Sequence, residues 1–292
     1  MTLLAFCYLA VGFFAVAFVH RAWAIASMPV HLRWELAPVP HEASKAHYGG
    51  SYLEEYEWWT KPREKSLVSE GIYMFKEIVL LRGVWEHNPR MWTFSFPFHF
   101  GIYLLVAMAG CAFLAAWGLP LFGSLARMLA ILGYCLGCLG TAGLLYMRLA
   151  DPKLSAFTTP ATCFNLLFLF LVFSTGAYSV FGLADFTGEL AKLMKAFFTI
   201  DTTVALPAAA RIHVVAAAAF LVYLPFTHML HFLAKYFTYH EIRWNDEPMT
   251  AGSAMEAEVK ALLSQPVEWA APHIGADGKK NWVDVATQEV QK

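Results

Sequence analysis

Five apolar stretches, at about 3–23, 95–118, 125–147, 160–183 and 206–236, each reach the roughly 20 residues that a helix needs to cross a bilayer. Only 15% of residues are charged and 58% are hydrophobic, where a soluble domain would carry about 25% charge. The chain is therefore expected to be an all-α membrane protein. Its membrane domain would occupy 1–236, with a polar tail over 237–292. The first stretch ends near Ala22-Trp23-Ala24, which resembles a signal-peptide cleavage site. It lacks a positive n-region, and its apolar run is longer than a usual h-region, so it is read as a retained span.

Lys and Arg set the orientation. They concentrate in the 24–94 loop, the short 148–159 loop and the tail. The opposite side holds only Arg127, Lys192, Lys195 and Arg211. The positive-inside rule then puts the N-terminus outside and the C-terminus in the cytoplasm of a bacterial inner membrane. The 24–94 loop carries MPVHLRWELAPVPHE and YGGSYLEEYEWWTKPREK, too aromatic for a disordered linker. It is read as ordered and held against a partner. Segment 65–85 is expected to be a helix on the membrane surface, and 253–264 a short helix in the tail.

Other chemistries find little support. Net charge is −1, with nothing to attract nucleic acid. The five cysteines lie in apolar runs and form no secreted disulfide framework. Cys135 and Cys138 form a C-x-x-C with no following His, which excludes a c-type haem attachment signal. They are read as small packing residues rather than a redox pair. No Gly-rich phosphate loop, Ser-His-Asp signature or internal repeat is present.

What the apolar stretches do contain is histidine. An ionisable side chain inside a membrane helix is costly and marks a functional site by default. Residues 211–237 hold His213, His228 and His231. His213 and His231 are 18 residues apart, about five helical turns, so on a continuous helix they share a face. They would lie roughly 27 Å apart along the axis, close to the thickness of the bilayer core. One imidazole per leaflet suits two haem groups. A bis-His haem needs a second histidine at matching depth on a facing helix. His99, in FPFHFGIYLL, lies about five residues inside the cytoplasmic end of its span, as His231 does in the fifth. One haem b clamped by His99 and His231 follows.

His213 has no such partner. The matching position falls near Ala109, and the nearby Met108 and Cys111 are weaker ligands. Met108 points about 180° away from His99 around the helix. A buried imidazole must still be met by something: haem iron with a non-histidine or external sixth ligand is expected, over a quinone carbonyl or a backbone oxygen. His20 lies in the wrong leaflet. For His20 and His228 a helix–helix hydrogen bond or a propionate contact is preferred. His41, His47, His87, His240 and His273 are read as solvated or interfacial.

The fifth span resembles that of the gamma subunit of respiratory nitrate reductase, a five-span dihaem cytochrome b. Its two ligating histidines are 18 residues apart, with a Pro-Phe pair before the second, as Pro225-Phe226 stands before His231 here. HFGI on the second span resembles the family's first ligand with its following Gly. The resemblance implies that His99 and His231 hold the iron of a cytoplasmic-side haem, and that His213 is one ligand of an outer haem. The family's second histidine on span two corresponds to Ala109, so the outer haem is either absent or bound with a substitute ligand. HLRWELAPVPHE and TYHEIRWNDEP are more similar to the cytochrome b subunits of the Tmc- and Dsr-type redox complexes of sulfate reducers. That branch implies a cytoplasmic iron–sulfur partner resembling a heterodisulfide reductase subunit, and a periplasmic multihaem cytochrome c. The expectation is a respiratory electron-transfer subunit, linked to menaquinone or to that cytochrome. Two other readings stand beside it. One is an anchor for soluble subunits. The other is a transporter, against which there are no inverted repeats and no midplane acidic pair.

Overall fold

The computed structural model describes residues 2–27, 67–238, 251–268 and 278–288. The 28–66 stretch with Trp34, Trp58 and Trp59 lies outside the described residues, as do His41, His47, His240 and His273. Among the described residues there are helices and no strand, only an isolated bridge between Pro266 and Asn281. In chain order the helices are α1 (Leu3–Ala26), α2 (Leu67–Val79), α3 (Arg82–His87), α4 (Pro89–Ala116), α5 (Leu121–Ala150), α6 (Pro152–Ser155), α7 (Pro160–Gly182), α8 (Phe186–Thr199), α9 (Ala208–Tyr223), α10 (His231–Thr238), α11 (Ala254–Leu263) and α12 (Trp282–Thr287). Five segments are long and apolar enough to cross a membrane: α1, α4, α5, α7 and Ala208–Phe226. The chain is an all-α, multi-pass membrane protein.

Local chemistry sets the helix starts. Pro89, Pro152 and Pro160 each stand at a first helical position, where the missing N–H costs nothing. Asn88, Asp151 and Thr159 cap the same three helices with side-chain oxygens that accept backbone N–H groups. In the tail, α11 is the helix expected over 253–264, capped by Ser253 Oγ, which accepts from Glu256 N at 3.2 Å.

The residues group into two compact units. One comprises Met1–Phe18 with Met74–Met229, the other Val19–Tyr73 with Leu230–Lys292. The first unit is built on a glycine seam. Gly133, Gly137, Gly140 and Gly143 recur at helical spacing along one face of α5. Gly101 of α4 lies so close that an added Cβ would fall 2.7 Å from Gly133 O. A Cβ on Gly140 would fall 2.5 Å from Phe98 Cβ of α4, and one on Gly137 2.5 Å from the Phe173 ring of α7. Small residues let membrane helices approach this closely, because packing has to replace the hydrophobic effect there. Around the seam, Ala112, Ala126, Ala130, Tyr134, Leu169, Phe173 and Val180 form the core.

Three segments differ from the sequence expectation. The surface helix expected over 65–85 is split in two by Leu81, which sits in the left-handed region at φ 52°. The chain there is tied to α4: Tyr103 Oη donates to Ile78 O at 2.7 Å and Trp92 Nε1 to Leu80 O at 2.8 Å. The segment between the fourth and fifth spans, to which no helix is assigned from sequence, forms the amphipathic helix α8. Asp185 caps it, Phe186 and Ala196 are buried, and Tyr8 Oη of α1 donates to Phe197 O.

The third difference is in the fifth span. It is not one continuous helix. α9 ends at Tyr223, and two 3-10 turns, Leu224–Phe226 and His228–Leu230, precede α10. Pro225 has no N–H to give to the helix ladder. Thr227 is extended, and its hydroxyl takes over the local bonding, donating to Leu224 O at 2.9 Å and accepting from Met229 N at 3.1 Å. The five-turn count from His213 to His231 assumed an unbroken helix, so it does not fix their relative facing. His213 belongs to the first unit and His231, the first residue of α10, to the second.

Candidate functional site

His99 sits on α4, one turn after the buried Ser95. Its Nδ1 lies 2.7 Å from Ser95 O. A carbonyl only accepts, so Nδ1 carries the proton and Nε2 carries the lone pair. This tautomer is the one an axial imidazole needs, and a backbone carbonyl on the other nitrogen is the usual device that fixes it. The ring is half-buried and stands edge-on to Phe98, centroids 4.8 Å apart. His231 is exposed at the start of α10.

His213 has a different environment. Its Nε2 lies 2.8 Å from Tyr134 Oη of α5, and its Nδ1 3.2 Å from Thr175 Oγ1 of α7. Thr175 Oγ1 donates its own proton to Val172 O at 2.9 Å. It must then accept from Nδ1–H, which leaves Nε2 to accept from Tyr134 O–H. The four groups form one directed relay: Tyr134 to His213 to Thr175 to the Val172 carbonyl.

Beside this relay is a cavity of about 630 Å³, inside the range of roughly 300–1,000 Å³ typical of cofactor sites. Its walls come from α1, α4, α5, α7, α8 and α9 and are almost wholly apolar. His213, Tyr134, Met108, Ala109 and Phe198 line it, together with Glu189, whose Oε2 is buried without a hydrogen bond. Ala109, where the resemblance places a second ligand, thus lines the same cavity as His213, from a different helix.

The other described histidines take bland positions. His228 Nδ1 is 3.4 Å from Asn165 Nδ2, and Tyr223 Oη donates to Asn165 Oδ1 at 2.7 Å. This is the helix–helix bonding preferred for it from sequence. His20 is exposed on α1, and the exposed His87 bonds Gly83 O within its own helix. All five cysteines are free thiols, and Cys138 Sγ contacts Ser174 Oγ at 3.7 Å. Among the described residues no group of three or more His, Cys, Asp or Glu side chains could hold a bare metal ion.

Residues 85–245, more than half of the chain, match the family described as the nitrate reductase gamma subunit. The chain belongs to that family. No curated protein and no solved structure matches it. The nitrate reductase gamma subunit family consists of membrane cytochromes b that transfer electrons within multi-subunit redox complexes, and its members bind haem. The matched region holds α4 to α10, and with them His99, His213 and His231.

Sequence reasoning missed Tyr134, Thr175, Asn165, Tyr223 and Glu189. Four of them lie within spans, where polar groups need internal partners, and that rule alone could have flagged them. It could not have said which residue each would meet.

Proposed function

We propose that the chain is the membrane cytochrome b subunit of a bacterial respiratory complex. It passes electrons between the menaquinone pool or a periplasmic multihaem cytochrome c and a cytoplasmic iron–sulfur subunit of the heterodisulfide reductase type. His99 and His231 would hold the iron of a haem b on the cytoplasmic side. The observation that carries this is the fixed tautomer of His99: Nδ1–H on the Ser95 carbonyl and the Nε2 lone pair directed away from it. Family membership supports the electron-transfer role. The placement of Lys and Arg supports the sides given to loop and tail.

The haem supplies the one-electron chemistry. The protein's part is to hold the ring, set its burial and bring the partner close. Ser95 O restrains the imidazole plane of His99. The Gly101 contact with α5, half a turn further on, restrains the helix that carries it. The test is a pyridine haemochrome assay with low-spin absorption spectra on the parent, His99→Ala and His231→Ala. Each variant should lose the low-spin b-type signal, since the iron loses an imidazole. Unchanged spectra in both would defeat the assignment, and a parent without haem would leave only an anchoring role.

A further inference from the structure

The resemblance implies His213 as a ligand of a second, outer haem. The geometry points to a different arrangement. We propose that in this chain the outer haem is replaced by a protein-only hydrogen-bond relay, Tyr134–His213–Thr175–Val172, so that the chain carries one haem. The inference rests on the haem reading of His99 for the number one, and on the relay for the absence of a second.

The argument is a competition for one lone pair. A neutral imidazole has a single lone pair in the plane of its ring. The Thr175 hydroxyl is committed as a donor to Val172 O, so Nδ1 of His213 carries the proton and the lone pair lies on Nε2. The Tyr134 hydroxyl occupies that lone pair at 2.8 Å. Iron bound to Nε2 would sit where the phenol now donates. Tyr134 has little room to step aside. It is 5% exposed and belongs to the core. Its ring packs so tightly on Gly176 of α7 that a Cβ there would run into it. Displacing it would also strand a buried hydroxyl in an apolar surround. On the facing wall Ala109 offers no ligand atom. Met108 lines the same cavity, but a Met-ligated haem would still need Nε2 of His213 on its other face. The cavity is large enough for a cofactor, yet it lacks the imidazole lone pair that would hold one by its iron.

The relay explains why a histidine persists there without iron. It joins α9 to α5 and to α7 through one ring, and every polar atom in it has a partner. His99 shows the contrast: its Nδ1 is fixed by its own helix, through the Ser95 carbonyl.

The experiment uses the purified full-length protein. Haem per chain, low-spin absorption and carbon monoxide difference spectra are recorded for the parent, His213→Ala and Tyr134→Phe. The expected result is one haem per parent chain and the same ratio and spectra in both variants. Tyr134→Phe should lower the melting midpoint, and the double variant should melt no lower than the worse single one, because both remove the same bond. Two haems in the parent with loss of one in His213→Ala would overturn the proposal. So would a Tyr134→Phe variant as stable as the parent. A parent with no haem would refute the His99–His231 reading instead, and the thermal cycle between Tyr134 and His213 would still decide for or against the relay.

Discussion

Replacing Gly101 with alanine should open the α4–α5 seam. The new methyl would stand 2.7 Å from Gly133 O and 2.9 Å from Gly137 N, where ordinary contact begins near 3.4 Å. Both neighbours are backbone atoms of α5, so no side chain can swing away. The helices must part by about 0.7 Å along a seam where Gly140 and Gly143 face Phe98 and Phe94 just as tightly. Overpacking of this kind costs typically 1–3 kcal/mol. At about 2 kcal/mol, the folded-to-unfolded ratio falls by roughly 30-fold. Gly110→Ala on the same helix is the control: no atom lies within 4 Å of the added methyl, and alanine favours the helix over glycine by up to ~1 kcal/mol. Unfolding in detergent, followed by circular dichroism and by haem absorption, should show Gly101→Ala melting well below the parent and Gly110→Ala at or above it. Gly101→Ala should also release haem more readily, since His99 is two residues away on the same helix. Equal stability of the two variants would refute the seam as the basis of this packing.

A reporter fused after Lys292 should be active only in its cytoplasmic form; a periplasmic signal would reverse the proposed orientation. Replacing Trp34, Trp58 and Trp59 with alanine should release the iron–sulfur partner on affinity purification while leaving the haem spectrum intact, and full retention would count against loop docking. In the tail, Lys260 and then the Gly252 N–H hold the Glu256 carboxyl below its ordinary range. A depressed folded value stabilises above the unfolded pKa and fades as pH falls through the folded one. Amide protection at Gly252, referenced to its intrinsic exchange rate, should therefore drop on acidification, and Glu256→Gln should remove that dependence.

Hydropathy made the five spans legible, because a bilayer demands a long apolar helix wherever the chain crosses it. The amphipathic α8 was not legible: Glu189, Lys192 and Lys195 break the apolar run, and the signal of a helix half-sunk against the bundle is weaker than that of a span. The break at Leu224–Leu230 was only half visible. Pro225 announced a disturbance, but the extended Thr227 that completes it depends on hydroxyl bonds no periodicity reports. At the site, His99 stood out as an ionisable residue in hydrocarbon. The partners of His213 did not, since Tyr134 and Thr175 lie on two other spans, whose register against each other comes from glycine packing.

The α4–α5 pair also bears on how the protein is made. Only residues 117–120 separate the two helices, with Gly118 in the left-handed region at φ 96°. Closing so short a connection costs little chain entropy. The pair can thus zip together as a helical hairpin once α5 leaves the ribosome, with His99 already oriented by its own Ser95 carbonyl. Synthesis at roughly 5–20 residues per second then leaves about 4–16 s before His231 emerges. On the proposed ligand assignment, biogenesis passes through an iron-free intermediate in which His99 is presented and His231 is not yet made.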